Sequence, residues 1–246
     1  MQLKDEFEKT GNWLFKKREH IPILIVPLIL IALKDSEYLE RVFGHRIQTF
    51  WEVFCIGLSF LGLIIRMLTV GWIFEGTSGR NTKGQVAENL NTEGMYSIVR
   101  HPLYLGNFFI TFGLILFIEV WWLAVIYLLI FWIFYERIMF AEEVFLENKF
   151  GDRYLEWAKK TPAILPNLSK WQFPPRRFSY KMVLKREYAT FLGIIVGFIV
   201  LKFFAELLGE NNLEMRWRWV GFLATGLIVY IVLRTLRKKT QLLNVK

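Results

Sequence analysis

Residues 93–108, EGMYSIVRHPLYLGNF, place Tyr96, Arg100, His101, Pro102, Tyr104 and Gly106 where a polar loop runs into an apolar stretch. Proline fixes φ and has no donor to lose, so Pro102 suits the first position of a helix. Its entry turn then carries Arg100 and His101. A helix start offers unpaired amides and a partial positive charge, and an adjacent guanidinium strengthens the attraction for an anion. The plainer alternative is an interfacial belt, with Arg100 reaching lipid phosphate and the tyrosines at head-group depth.

A second concentration of chemistry lies in residues 135–154, YERIMFAEEVFLENKFGDRY. Glu136, Glu143 and Glu147 share roughly one face at 3.6 residues per turn, with Glu142 about 100° away. Gly151 can end that helix, and Asp152 can open another running to about Thr161. A run of acids is commonly a solvated face, but Phe140, Ala141, Val144 and Phe145 surround this pair. Carboxylates wedged among apolar side chains at a membrane surface call for a cation or a hydroxyl-bearing ligand. Ahead of both clusters, GTSGRNT supplies a guanidinium (Arg80), an amide (Asn81) and a hydroxyl on adaptable backbone, suited to an anionic oxygen. The same loop reads equally well as a flexible connector.

These residues must be positioned by apolar elements. The chain has 246 residues, 54% of them hydrophobic and 17% aromatic, and its charges fall in blocks between apolar runs. That pattern predicts an all-α, multi-pass integral membrane protein with about six transmembrane helices, at 21–33, 50–74, 103–118, 121–135, 189–208 and 219–233. Residues 103–135 read as two helices folded back into a hairpin, with one long helix as the alternative. Residues 1–20 suit an amphipathic helix on the membrane surface. The organisation expected is thus an N-terminal segment (1–20), two spans (21–74), a core of loop, hairpin and cap (75–168), and a basic linker with two last spans (169–246).

With the N-terminus inside, most of the 31 Lys and Arg fall on the cytoplasmic side, leaving Lys34, Arg41, Arg46, Arg216 and Arg218 outside. The formal charge of +9 is therefore a property of one membrane face, directed at anionic lipid and not at nucleic acid. Arg66 and Lys202 fall within spans near their ends, where snorkelling is the simple reading. A lone cysteine, Cys55, excludes an intrachain disulfide, and His20, His45 and His101 have no metal-ligand spacing, so no metal is expected.

GMYSIVRHPLYLG, a hydrophobic hairpin and EEVFLENKFGDRYLEWAKKTPAILP, in that order, resemble the isoprenylcysteine carboxyl methyltransferase and phospholipid methyltransferase superfamily over about residues 70–168. The resemblance implies S-adenosylmethionine bound at the cytoplasmic ends of the helices under a cap, S-adenosylhomocysteine as product, and a lipid acceptor arriving from the bilayer. By that likeness Tyr96, Arg100, His101, Tyr104, Gly106, Glu142 and Glu143 line the cofactor site, with Arg100 and Tyr104 also catalytic. Family members that methylate prenylcysteine usually carry an arginine after the proline near the end of the second motif, where this chain has Pro162-Ala163. The GTSGRNT loop looks instead like bacterial relatives that methylate a phosphate on lipid A. Arg80 then serves catalysis and, with Asn81, holds the acceptor.

A lipid phosphate is accordingly the expected acceptor, at the cytoplasmic face of a bacterial inner membrane. A prenylcysteine carboxylate or a phospholipid amine is the alternative. Sterol reductases of the membrane share His-Pro-x-Tyr-x-Gly and use NADPH, which makes a reductase the competing enzyme class. A non-enzymatic lipid-binding protein or transporter predicts no nucleoside site at all.

Overall fold

The structure, a computed structural model, describes residues 2–36, 42–73, 84–208 and 217–240. Helices dominate and no extended strand occurs among the described residues. Four of them are long and apolar enough to cross a bilayer: α3 (His45–Trp72), α6 (Trp121–Phe150), α8 (Tyr180–Leu208) and α9 (Trp217–Lys239). Their outward residues, among them Phe50, Val53, Trp132, Ile133 and Ile228, are exposed and apolar, as a lipid-facing surface requires. The protein is an all-α, multi-pass membrane protein.

Two of the expected spans take shorter forms. Residues 21–35 form a 3₁₀ turn (Ile21–Ile25), a seven-residue helix α2 (Val26–Ala32) and a second 3₁₀ turn (Leu33–Asp35). Pro22 and Pro27 each remove a backbone donor, so no single helix runs through the segment. It still traverses the bundle: Ile25 and Ile29 pack near Phe131 and Tyr135, while Leu33 and Ser36 sit by Ile118, Glu119 and Gln48. The third span is α5 (Pro102–Leu116), 15 residues and about 22 Å at 1.5 Å per residue.

The hairpin is real. After α5 the chain turns at residues 117–120, where Glu119 takes φ 66°, and α6 returns antiparallel. Aromatic pairs mark its register at one-turn intervals: Phe112 with Tyr127 at 5.9 Å, Phe108 with Phe131 at 5.0 Å, Tyr104 with Tyr135 at 5.2 Å. On its other side α5 lies against α3 through small residues. A β-carbon on Gly62 would stand 2.4 Å from Gly106 O, and one on Gly113 2.3 Å from Ser59 Oγ. Such close crossings are how helices associate where lipid is as apolar as leucine. Ser59 Oγ donates to Ile110 O at 2.8 Å across the same contact.

α1 (Leu3–Lys17) departs from the surface helix expected for residues 1–20. Its buried face, Gly11, Leu14 and Phe15, is turned to protein. Phe7 meets Phe140 edge-on at 5.9 Å, and Arg137 lies over Phe7 and donates to Thr10 Oγ1 at 3.1 Å. Gly11 is required here: a β-carbon would lie 2.1 Å from Arg137 O. α1 thus runs along the part of α6 that extends past its apolar stretch.

Arg66 and Lys202 do not snorkel either. Arg66 makes a two-point pair with Glu187 of α8 and donates to Asn107 Oδ1 of α5. Lys202 stands 3.8 Å from Glu52 and 3.9 Å from Glu206, and Arg218 of α9 reaches Glu52 at 2.9 Å. Each charge is spent between helices, because the bundle buries it where no water competes.

Candidate active site

The polar end of the bundle is assembled by backbone hydrogen bonds between the two motif regions. α4 (Met95–Ile98) precedes an extended Val99, and α7 (Asp152–Lys160) follows the α6 stop at Gly151, whose φ of 55° closes the helix with a bond to Glu147 O. Beyond α7, Arg100 N donates to Pro162 O at 2.8 Å and Asn167 N to Ile98 O at 2.9 Å. Gly94 N donates to Gln172 O, and Trp157 Nε1 to Tyr96 O at 3.1 Å. The turn ahead of α5 is therefore clamped to the stalk formed by α6 and α7.

Pro102 is the first residue of α5 and His101 its N-cap. From that turn Arg100 Nη1 reaches Glu143 Oε2 at 2.7 Å, and His101 Nε2 lies 2.9 Å from Glu143 Oε1. His101 Nδ1 lies 3.7 Å from Glu142 Oε2, and the imidazole stacks on Tyr104 with centroids 5.7 Å apart. His101 is 7% exposed. Burial alone would lower its pKa, but the hydrogen bonds and charges of Glu142 and Glu143 outweigh it and raise the value above the usual 6.5. Burial, with Glu142 beside Tyr96 and Glu143 beside Tyr154, pushes both phenols up, which keeps them neutral donors. Two buried groups, Arg100 Nε and the Tyr154 hydroxyl, have no well-formed hydrogen bond within the protein.

Two hollows meet at this cluster, and Tyr96, Arg100, His101 and Glu142 line both. The first adds Phe15, Asn89, Asn91, Phe145, Tyr154 and Trp157. The second adds Arg18, Arg66, Tyr104 and Asn107. Alongside runs an apolar cleft of about 240 Å³ between α2, α5 and α6, ending at Tyr135, which packs on Tyr104.

Of the residues expected from sequence, Tyr96, Arg100, His101, Tyr104, Glu142 and Glu143 come together here. Gly106 does not join them, because α3 covers it: a β-carbon there would meet Arg66 Cγ at 2.5 Å and Gly62 O at 2.9 Å. Its close neighbour is a helix and not a nucleotide. Arg80 and Asn81 lie outside the described residues. Phe15, Arg18, Arg66, Asn107, Tyr154 and Trp157 were not singled out as contacts from sequence. A charge at 66 and an amide at 107, each inside an apolar run, were the legible hints.

The phospholipid methyltransferase family matches residues 52–153. The protein-S-isoprenylcysteine O-methyltransferase B of Arabidopsis thaliana is 32% identical over 161 residues, 63% of this chain and 77% of that protein. This chain belongs to the isoprenylcysteine and phospholipid methyltransferase superfamily. The nickel-cobalt-cadmium resistance protein NccN of Alcaligenes xylosoxydans xylosoxydans is also 32% identical, over 64% of this chain and 68% of its own. The protein-S-isoprenylcysteine O-methyltransferase of Schizosaccharomyces pombe is 34% identical over 77 residues, 31% of this chain and 33% of its own. No solved structure matches the chain significantly. The protein is a membrane methyltransferase, which sets aside the reductase and the non-enzymatic readings. Among the described residues no group of three His, Cys, Asp or Glu is placed to hold a metal ion.

Proposed function

We propose that this superfamily member transfers methyl from S-adenosylmethionine to the ionised oxygen of an acid carried on an apolar, membrane-embedded tail, at the cytoplasmic face. The observation that carries the proposal is the Arg100–His101–Glu142–Glu143 cluster standing between a polar, aromatic-walled hollow and an apolar cleft open to the bundle's lipid-facing elements.

The donor set of the first hollow suits the cofactor. Arg100 and the start of α5 are matched to its carboxylate, and Glu142 or Glu143 to its ammonium or ribose hydroxyls. Asn89, Asn91 and the Tyr154 hydroxyl supply neutral hydrogen bonds, and Phe145 and Trp157 give apolar walls for a base. S-adenosylmethionine supplies a methyl group on a sulfonium, and aromatic faces such as Tyr104 favour that charge.

An ionised acceptor attacks without a general base, so the protein's work is to position it and keep water out. The cleft lined by Ile25, Ile29, Leu114, Ile130 and Phe131 excludes water and suits a hydrocarbon tail whose head stops at Tyr135 and Tyr104.

A prenylcysteine-type carboxylate is the acceptor this reading favours. Relatives named as isoprenylcysteine O-methyltransferases support it, whereas the expected lipid phosphate rests on Arg80. The ten tryptophans give a direct test in the purified, membrane-reconstituted protein. S-adenosylhomocysteine should quench their fluorescence saturably and NADPH should not. Quenching by NADPH alone would overturn the proposal.

A further inference from the structure

The chain between α7 and α8 is tied across the active-site end of the bundle, and it is apolar where a loop in water would be polar. Besides its bonds to residues 94, 98 and 100, Gln172 N donates to Ser97 Oγ at 2.9 Å and Ser179 N to Gly71 O at 2.8 Å. Five rings run in series along this strap and the end of α3. Phe173 meets Trp171 at 5.9 Å, Trp171 meets Trp72 at 5.7 Å, Trp72 meets Phe178 at 5.0 Å, and Phe178 meets Tyr180 at 4.9 Å.

Both ends of the series are open. Phe173 is 83% exposed and Tyr180 73%, and Leu168, one 3₁₀ turn before Trp171, is 74% exposed. The inner rings pack on α3 and the backbone bonds fix the strap, so the outer side chains are held outward. An apolar patch of this kind marks a surface that something covers. Its place says what. Trp72 ends α3, Tyr180 opens α8, and Leu184, one turn further on, already belongs to the lipid-facing wall of α8. Arg177 and Lys181 are exposed on either side of Tyr180. Aromatic and aliphatic side chains flanked by cations, continuous with a lipid-facing helix, suit the head-group layer of an acidic leaflet.

We infer that residues 162–180 are a membrane-docking strap: Leu168, Phe173 and Tyr180 enter the adjoining leaflet, Arg177 and Lys181 face the phosphates of acidic lipid, and the docked strap steadies the active-site turn. The last step runs through two backbone bonds, Arg100 N to Pro162 O and Asn167 N to Ile98 O, which hold the turn carrying Arg100 and His101 to the strap. Lipid composition thereby acts on the cofactor site from outside the family-matched residues 52–153. The depth of the strap stands by itself, and only its effect on the cofactor rests on the proposed function.

Cys55 is fully buried, so a single introduced cysteine can be labelled selectively. In the full chain in lipid nanodiscs, an NBD fluorophore on Leu168→Cys or Phe173→Cys should be quenched by lipid carrying a nitroxide near the top of its acyl chain and shielded from aqueous iodide. The same label on Glu156→Cys, at an exposed position of α7, should behave in the opposite way. Iodide quenching at 168 and 173 would put the patch in water, and shielding from both quenchers would put protein over it. Either result overturns the inference.

S-adenosylhomocysteine should bind wild type about fivefold tighter in discs containing phosphatidylglycerol than in phosphatidylcholine alone, the effect of about one basic side chain at an acidic surface. Arg177→Gln combined with Lys181→Gln should shrink that difference to about twofold or less, with affinity in phosphatidylcholine and the melting midpoint unchanged. Equal affinities in the two lipids for wild type, or a difference that the double variant keeps, overturns the strap's hold on the turn. Failure of wild type to bind S-adenosylhomocysteine in either lipid would instead sink the proposed function, with the depth of the strap decided by the labelled variants.

Discussion

At the scale of single residues, the chemistry turns on how four charged side chains share one small volume. Glu143 touches both Arg100 and His101, so Glu143→Gln weakens two charge-assisted contacts at once. It should loosen S-adenosylhomocysteine binding by about tenfold, from hydrogen bonds to charged groups worth on the order of 1.5–3 kcal/mol each. A fluorescence titration reads this directly, and unchanged affinity with unchanged turnover would remove Glu143 from the site.

His101 makes a second prediction, through pH. Glu142 and Glu143 raise its pKa in the folded state above the usual 6.5, so the imidazolium is favoured on folding. The stability it contributes is complete below pH 6.5 and is lost as pH rises through the raised value. Thermal midpoints measured from pH 6 to 9 should fall across that window in wild type and less so in His101→Asn. A flat wild-type profile would deny the coupling.

At the scale of elements, glycine decides where α5 sits. Gly62, Gly106 and Gly113 bring α3 and α5 to backbone contact, and Gly62 has no room for a β-carbon beside Gly106 O and Ile110 N. Gly62→Val should force the helices apart, costing on the order of 1–3 kcal/mol and tilting the α5 start that carries His101. Its thermal midpoint should drop and acceptor KM should rise together, and a midpoint equal to wild type would argue that the crossing is looser than described. Sequence alone suggested a nucleotide against Gly106, because a glycine after His-Pro announces close approach without naming what approaches.

Across the whole molecule, two polar networks at opposite ends tie the last two helices to the core. Near the site Arg66, Asn107 and Glu187 join α3, α5 and α8, and at the far end Glu52 joins α3 to Lys202 and Arg218 of α8 and α9. Removing Glu52 takes the carboxylate from Arg218 and leaves Lys202 to Glu206, so Glu52→Ala should lower stability by about 1–3 kcal/mol. The loss should show as early melting in detergent with S-adenosylhomocysteine affinity preserved, since Glu52 is remote from the cofactor's hollow. A melting curve unchanged from wild type would make that network ornamental.

The amino-acid sequence by itself determined the helical, membrane-spanning class, the hairpin over 103–135, the start at Pro102 and the stop at Gly151. These follow from local causes: apolar run length, the missing proline donor, and a positive φ that glycine accepts. It also paired the two motif regions, through the likeness that their order carried. Which charges meet was decided only in three dimensions. Whether Arg66 snorkels or is gripped depends on Glu187, 121 positions away, and whether α1 rests on lipid or on Arg137 depends on a shape that no single helix contains. Burial makes a charge choose a partner, and the partner's identity is a property of packing.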